Sequence, residues 1–295
     1  MDYLFYEAFE SEAWEMASTV IIIFGLFFVA ISSYAHFYSI AFVTCDVVLP
    51  DPVRKLNREE FIYYGFSLFV LLPTGVSVLI FNPDNSLKTC DWLLRAALFY
   101  LFIGNFLLYR LLITKSLIYD PMQQMRTLYQ LTWWIIHLLY LPLSLYGVAS
   151  GFIFQREKRE IGGTEHCVEM HTIVTPSVFS FCDLVISVSA ILILAAPSLK
   201  PGCPSDTKIV VFRNTFAMTV ATISTFLLLL YSITASSREG EHYYIVKHFF
   251  RLGALDSFIN FSCVTLSWPL SFYLKIMSET RYALVSRVSQ RHISI

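Results

Sequence analysis

Thr19-Val20-Ile21-Ile22-Ile23-Phe24-Gly25-Leu26-Phe27-Phe28-Val29-Ala30-Ile31 is an unbroken apolar core within residues 16–45, a stretch with no Asp, Glu, Lys or Arg. Lipid hydrocarbon is about 30 Å thick and a helix rises about 1.5 Å per residue, so roughly 20 such residues make one crossing. Six further stretches read the same way: 61–81, 92–114, 128–154, 172–194, 214–237 and 252–274. Long unbroken apolar runs, not alternation, exclude a β-barrel. The expected fold is therefore all-α, a polytopic membrane protein with a seven-transmembrane-helix bundle as a single domain across 1–295.

Composition agrees. Of 295 residues, 56% are hydrophobic and 15% charged, with 26 Phe, 17 Tyr and a mean hydropathy of +0.60. A water-exposed domain carries about a quarter charged residues, so lipid takes the place of water as the surrounding solvent. The net charge of -1 excludes a nucleic-acid partner, which needs an excess of Lys and Arg on one face.

Turn chemistry separates the stretches: Pro50-Asp51-Pro52, Asn82-Pro83-Asp84-Asn85, Asp120-Pro121, Gly162-Gly163 and Pro201-Gly202-Cys203-Pro204. The two longest connections, 155–171 and 198–213, read as loops too short to fold as domains. Orientation follows from loop cations. The N-terminal segment carries Asp2, Glu7, Glu10, Glu12 and Glu15 and no Lys or Arg, whereas Arg54, Lys55 and Arg58 follow the first span. That predicts the N-terminus outside and the C-terminus inside, the latter with Lys275, Arg281, Arg287 and Arg291. Arg156, Lys158 and Arg159 fall on the outside against the rule, although acids surround them. No cleavable signal peptide is read, and the first span is expected to act as a signal anchor.

In that orientation Cys90, at the outer mouth of span three, and Cys167, in the loop before span five, are the only two cysteines facing the oxidising side. They are the candidate disulfide; the alternative is two unpaired loop thiols. Cys45, Cys182, Cys203 and Cys263 read as buried or reduced thiols.

Seven spans, an outside N-terminus and a cysteine heading span three with a partner before span five resemble the rhodopsin-like G-protein-coupled receptors over nearly the whole chain. Trp133-Trp134 with Pro142 in span four, and Pro176 in span five, have counterparts there. Trp268-Pro269-Leu270-Ser271-Phe272-Tyr273 looks like a degraded Asn-Pro-x-x-Tyr motif, followed by an amphipathic helix over 276–290. The departures are plain. Thr114-Lys115-Ser116 stands where the family has Asp-Arg-Tyr, span two has no acid, and span six lacks the Cys-Trp-x-Pro switch. The resemblance implies a divergent member, of the invertebrate chemoreceptor or orphan kind. It would sense a small extracellular molecule at the plasma membrane and signal to a heterotrimeric G protein through Arg110 and Lys115. A transporter, a channel and a non-signalling scaffold are the alternatives.

Charges inside spans are costly and mark sites. Arg95 and Asp256 read at similar depth in the outer third and are the candidate ligand contacts, with a free Arg95 favouring an acidic group. A structural ion pair or a snorkelling arginine is the competing reading. Asp183 is expected to be protonated or hydrogen-bonded to a neighbouring helix, His36 and His137 to pack, and Asn105 and Asn260 to bond between helices. No enzyme, cofactor or metal motif is present. Span seven has no lysine for a retinal Schiff base.

Overall fold

In the computed structural model the described residues are 11–40, 51–119, 126–153, 156–161, 163–170, 174–195, 205–234 and 243–266. The expected motif over 268–273, the amphipathic helix over 276–290, Cys45, Cys203, Asp120-Pro121 and Pro201 to Pro204 lie outside them.

The helices are α1 (Glu12–Tyr38), α2 (Asp51–Phe66), α3 (Leu72–Ile80), α4 (Leu87–Tyr119), α5 (Arg126–Ile135), α6 (Leu141–Ile153), α7 (Val174–Ala195), α8 (Ser205–Thr234) and α9 (Val246–Leu266). A π turn, Ser67–Leu71, joins α2 to α3 without a break, and another, Ile136–Tyr140, joins α5 to α6. Among the described residues the helices thus form seven long runs. Six are long and apolar enough to cross a membrane: Glu12–Tyr38, Val53–Ile80, Leu87–Lys115, Arg126–Ile153, Ser177–Ala195 and Lys208–Ile233. This is a mostly helical, multi-pass architecture. The seventh run, α9, starts before the expected span, takes in Lys247, Arg251 and Asp256, and is described only to Leu266.

Both π turns have one physical cause. Proline lacks the N–H that bonds to the i−4 carbonyl, and its ring clashes with that carbonyl. Pro73 and Pro142 each stand two residues after a π turn, and in each case the N–H of the intervening leucine reaches back five residues, Leu72 to Ser67 and Leu141 to Ile136. The extra residue lets the helix pass the proline by widening one turn.

The helices outrun the apolar stretches. Arg54, Lys55 and Arg58, expected in a loop, lie in the first turns of α2, and α4 begins at Leu87, where Ser86 caps it by accepting from the Thr89 N–H at 3.1 Å. Hydrocarbon thickness sets the apolar length, but a helix continues into water as long as its backbone bonds are made.

Residues 155–171, expected as a loop, hold a hairpin. Strand β1 (Arg156–Ile161) pairs antiparallel with β2 (Thr164–Met170), and β2 pairs antiparallel with β3 (Tyr243–Ile245), which leads into α9. Ile161 faces Thr164, and Gly163, between the two strands, has φ +84°, a conformation glycine adopts without a Cβ clash.

Run three is the axis. Within Leu87–Lys115, 67% of the apolar window is buried, against 28–44% in the other five candidate spans. It packs against α2, α6, α7 and α9. One apolar core joins Leu108, Leu111, Tyr140, Ile186 and Phe261, and a second, below the hairpin, joins Cys90, Leu98, Phe102, Phe179 and Phe249.

Candidate functional site

Among the described residues, polar side chains gather at both ends of run three, midway along it, and between α8 and α9. At the hairpin end, Cys90 and Cys167 stand at disulfide distance, Cα–Cα 6.5 Å, both fully buried. Asp84, in the short 3₁₀ turn Pro83–Asn85, accepts the Cys167 N–H at 2.8 Å and contacts His166 Nδ1 at 3.2 Å. Burial pushes the Asp84 carboxyl up, but the His166 bond, the Cys167 N–H and the nearby Lys247 charge outweigh it and hold the group below the usual carboxylate range.

Arg95 does not meet Asp256. Its guanidinium pairs with Asp91 at 2.5 Å, one turn earlier on α4, donates to the Gly151 carbonyl at 3.3 Å, and lies 4.5 Å from the Phe152 ring centre. Arg156 of β1 also pairs with Asp91 and donates to Gly151 O. Arg95 is thus ion-paired with Asp91 and not with Asp256. The other cations that broke the charge rule are likewise matched, Lys158 with Glu165 at 2.8 Å and Arg159 with Glu157 at 2.6 Å. A matched cation contributes little net charge to orientation.

Midway along, Asp183 of α7 accepts from Tyr109 at 2.7 Å and Tyr140 at 3.1 Å, and Tyr109 also bonds Ser187 at 2.8 Å. This joins α4, the second π turn and α7 through a buried carboxyl, as an interhelical hydrogen bond to Asp183 predicts. Asp256 belongs to a separate group. It accepts from Thr225 of α8 at 3.0 Å and from Asn260 at 3.2 Å, and Asn260 also donates to Thr225 at 3.1 Å. Asp256 lies at a depth similar to that of Arg95 but is turned toward α8, while Arg95 is turned toward Asp91 and Gly151, and that separates the two.

At the opposite end of run three, the two candidate transducer contacts enter a buried ionic cluster. Arg110 pairs with Glu59 at 2.7 Å and faces the Phe106 and Trp133 rings at 5.6 and 5.8 Å. Lys115 is only 2% exposed and is close enough to Glu60 and Arg213 to feel both charges. Glu60 in turn lies 3.7 Å from His36 Nδ1, and the His36 ring stacks on Tyr64 at 3.8 Å. Consecutive residues on a helix point about 100° apart, so Glu59 addresses run three while Glu60 also addresses run one. His137 contacts the Trp133 carbonyl at 2.8 Å and packs beside Trp133 and Phe106.

Sequence reasoning missed Glu59 and Glu60, although two adjacent acids just before an apolar run were a legible signal. It also missed Asp91, four residues before Arg95, the spacing of an intrahelical ion pair. Among the described residues, no three His, Cys, Asp or Glu side chains gather to hold a metal.

No protein-family model, curated protein or solved structure matches the chain.

Proposed function

We propose that the chain is a seven-helix plasma-membrane receptor, N-terminus outside and C-terminus inside, that senses a small extracellular molecule and passes the signal to a heterotrimeric G protein. The observation that carries this reading is the division of labour along run three. Its start is tied to the β1–β2 hairpin beside Cys167, and its far end is bound to run two by Glu59–Arg110. The starts of runs one, three and seven share the hairpin end, where Glu15 pairs with Lys247 at 2.7 Å. The end of run one, the start of run two, the end of run three and the start of run six share the ionic end. Such alternation supports successive crossings, with the hairpin outside.

Lys115 is buried and the partly exposed Arg110 is held by Glu59, so the ionic cluster must loosen before a cytosolic partner could engage both. Receptor function therefore means that ligand binding near the hairpin end shifts the equilibrium of this cluster. A ligand does so only by binding the open arrangement more tightly.

The test is nucleotide exchange on purified G-protein α subunits by the protein reconstituted in vesicles. Exchange above that of empty vesicles, raised further by Glu59→Gln, is the expected result. No exchange with any α subunit, together with solute flux across the same vesicles, would replace the receptor with a transporter.

A further inference from the structure

At the hairpin end of run three, two guanidiniums share one carboxylate. Arg95 Nη2 pairs with Asp91 Oδ2 at 2.5 Å, Arg156 Nη1 pairs with Asp91 Oδ1, and both side chains donate to the Gly151 carbonyl. A guanidinium is a fork of N–H donors with no acceptor, so this group has more donors than acceptors and more positive than negative charge. Nη1 of Arg95 makes no hydrogen bond among the described residues, and Nε of Arg156, whose side chain is 8% exposed, is buried without a partner. Glu169, opposite Arg156 in the strand register, forms an ion pair with neither arginine. Lys88 adds to the excess. It lies two turns before Arg95 on the same face of α4, is exposed, and has no ion pair among the described residues.

The surroundings say what kind of anion completes the group. The Arg95 side chain is 38% exposed and its guanidinium lies over the Phe152 ring. Phe152 is exposed, as are Trp92 and Phe99, three residues before and four after Arg95 on the same helix face. Exposed aromatic rings beside an exposed arginine mark the boundary between hydrocarbon and headgroups. Unmatched charge is costly at that boundary, and lipid phosphate is the anion found there. A soluble acid would neutralise Arg95 and leave the rings uncovered; a lipid answers both.

We infer that Arg95 and Arg156, with Lys88 at the rim, bind the phosphate of an anionic glycerophospholipid whose acyl chains run along Phe99 and Phe152. Asp91 and Gly151 hold the two guanidiniums in place beforehand, so little side-chain freedom is lost on binding. A choline headgroup would bring a cation toward Lys88 and is disfavoured. The inference needs only that the chain crosses a bilayer. Neither the receptor reading nor the choice of outer face enters it.

Native mass spectrometry of the detergent-purified full chain, titrated with dioleoyl phosphatidylglycerol or dioleoyl phosphatidylcholine, tests this. Phosphatidylglycerol should bind about tenfold more tightly, and Arg95→Gln should weaken it about tenfold, the loss of one charge-assisted hydrogen bond. Lys158→Gln removes a hairpin cation already matched by Glu165 and should change the affinity less than about twofold. Equal binding of the two lipids, or equal weakening by the two variants, overturns the inference. Glycerol 3-phosphate, the same anion without chains, should not displace the lipid at millimolar concentration; displacement would make a free phosphate the ligand and overturn the lipid. If Arg95→Gln does not fold, Lys88→Gln decides, with about threefold weakening expected and unchanged affinity as the refutation. Failure of nucleotide exchange leaves this result untouched, so the two readings fall separately.

Discussion

Glu59 Oε1 and Arg110 Nη2 lie 2.7 Å apart, with the Glu59 side chain 2% exposed and that of Arg110 20%. Ion pairs so placed bring little stability as a pair, because desolvation offsets attraction, yet removing one partner strands the other. Glu59→Leu should therefore destabilise the protein by about 3 kcal/mol. The double variant Glu59→Leu with Arg110→Met should recover most of that loss. Thermal unfolding in detergent reads both, and a double variant no better than the single would refute the pairing.

The hairpin is fastened covalently and by ions. Peptide mapping with and without reduction should find Cys90 linked to Cys167, and Cys90→Ser should cost roughly 2–4 kcal/mol. Because Arg156–Asp91 and Asp84–His166 remain, the strands should stay partly protected from hydrogen exchange in that variant. Complete loss of protection would mean that the disulfide alone holds them.

Asp84 supplies a pH signature. Its folded pKa is depressed, so its contribution is fully present above the unfolded value of about 3.9 and is lost as pH falls through the lower folded value. Hydrogen-exchange protection of β2 should thus hold from neutral pH to about 4.5 and decline below 4. Asp84→Asn should flatten that decline. An equal decline in the variant would assign the effect to another carboxylate.

The Asp183 group predicts an order of effects. Tyr109 bonds both Asp183 and Ser187, while Tyr140 bonds Asp183 at a longer distance. Tyr109→Phe leaves two buried polar groups short of a partner and should cost about 2 kcal/mol, more than Tyr140→Phe. Asp183→Asn keeps an acceptor in place and should cost least of the three, with chemical unfolding as the measure.

Close approach gives a last contrast. A Cβ at Gly147 would stand 2.5 to 2.8 Å from the Phe102 ring, so Gly147→Ala must push that ring against Phe179, whose centre is 4.3 Å away. A loss of about 1–3 kcal/mol is expected. Gly253→Ala, with open space for its methyl, should instead be neutral or stabilising by up to about 1 kcal/mol. Comparable melting temperatures for the two variants would contradict this.

Part of the molecule was legible without coordinates. The six candidate spans follow from apolar length alone, because lipid offers backbone groups no partner and forces each segment to bond within itself. Cys90 and Cys167 could be paired from topology. The hairpin was legible in principle from Gly162-Gly163, but its strands are rich in charge and read as loop.

What the sequence by itself determined was which segments are helical and apolar, since that depends on neighbours along the chain. What only the tertiary structure decided was which polar groups meet. Arg110 finds Glu59 on another helix 51 residues away, Asp256 turns to Thr225 instead of Arg95, and Arg95 and Arg156 come to share Asp91. Those outcomes depend on how far each helix starts before its apolar stretch and on its rotation. A single-residue change in register turns a helical side chain by about 100°. Near-uniform apolar composition around each span fixes that rotation weakly, and packing against the other runs fixes it in the fold.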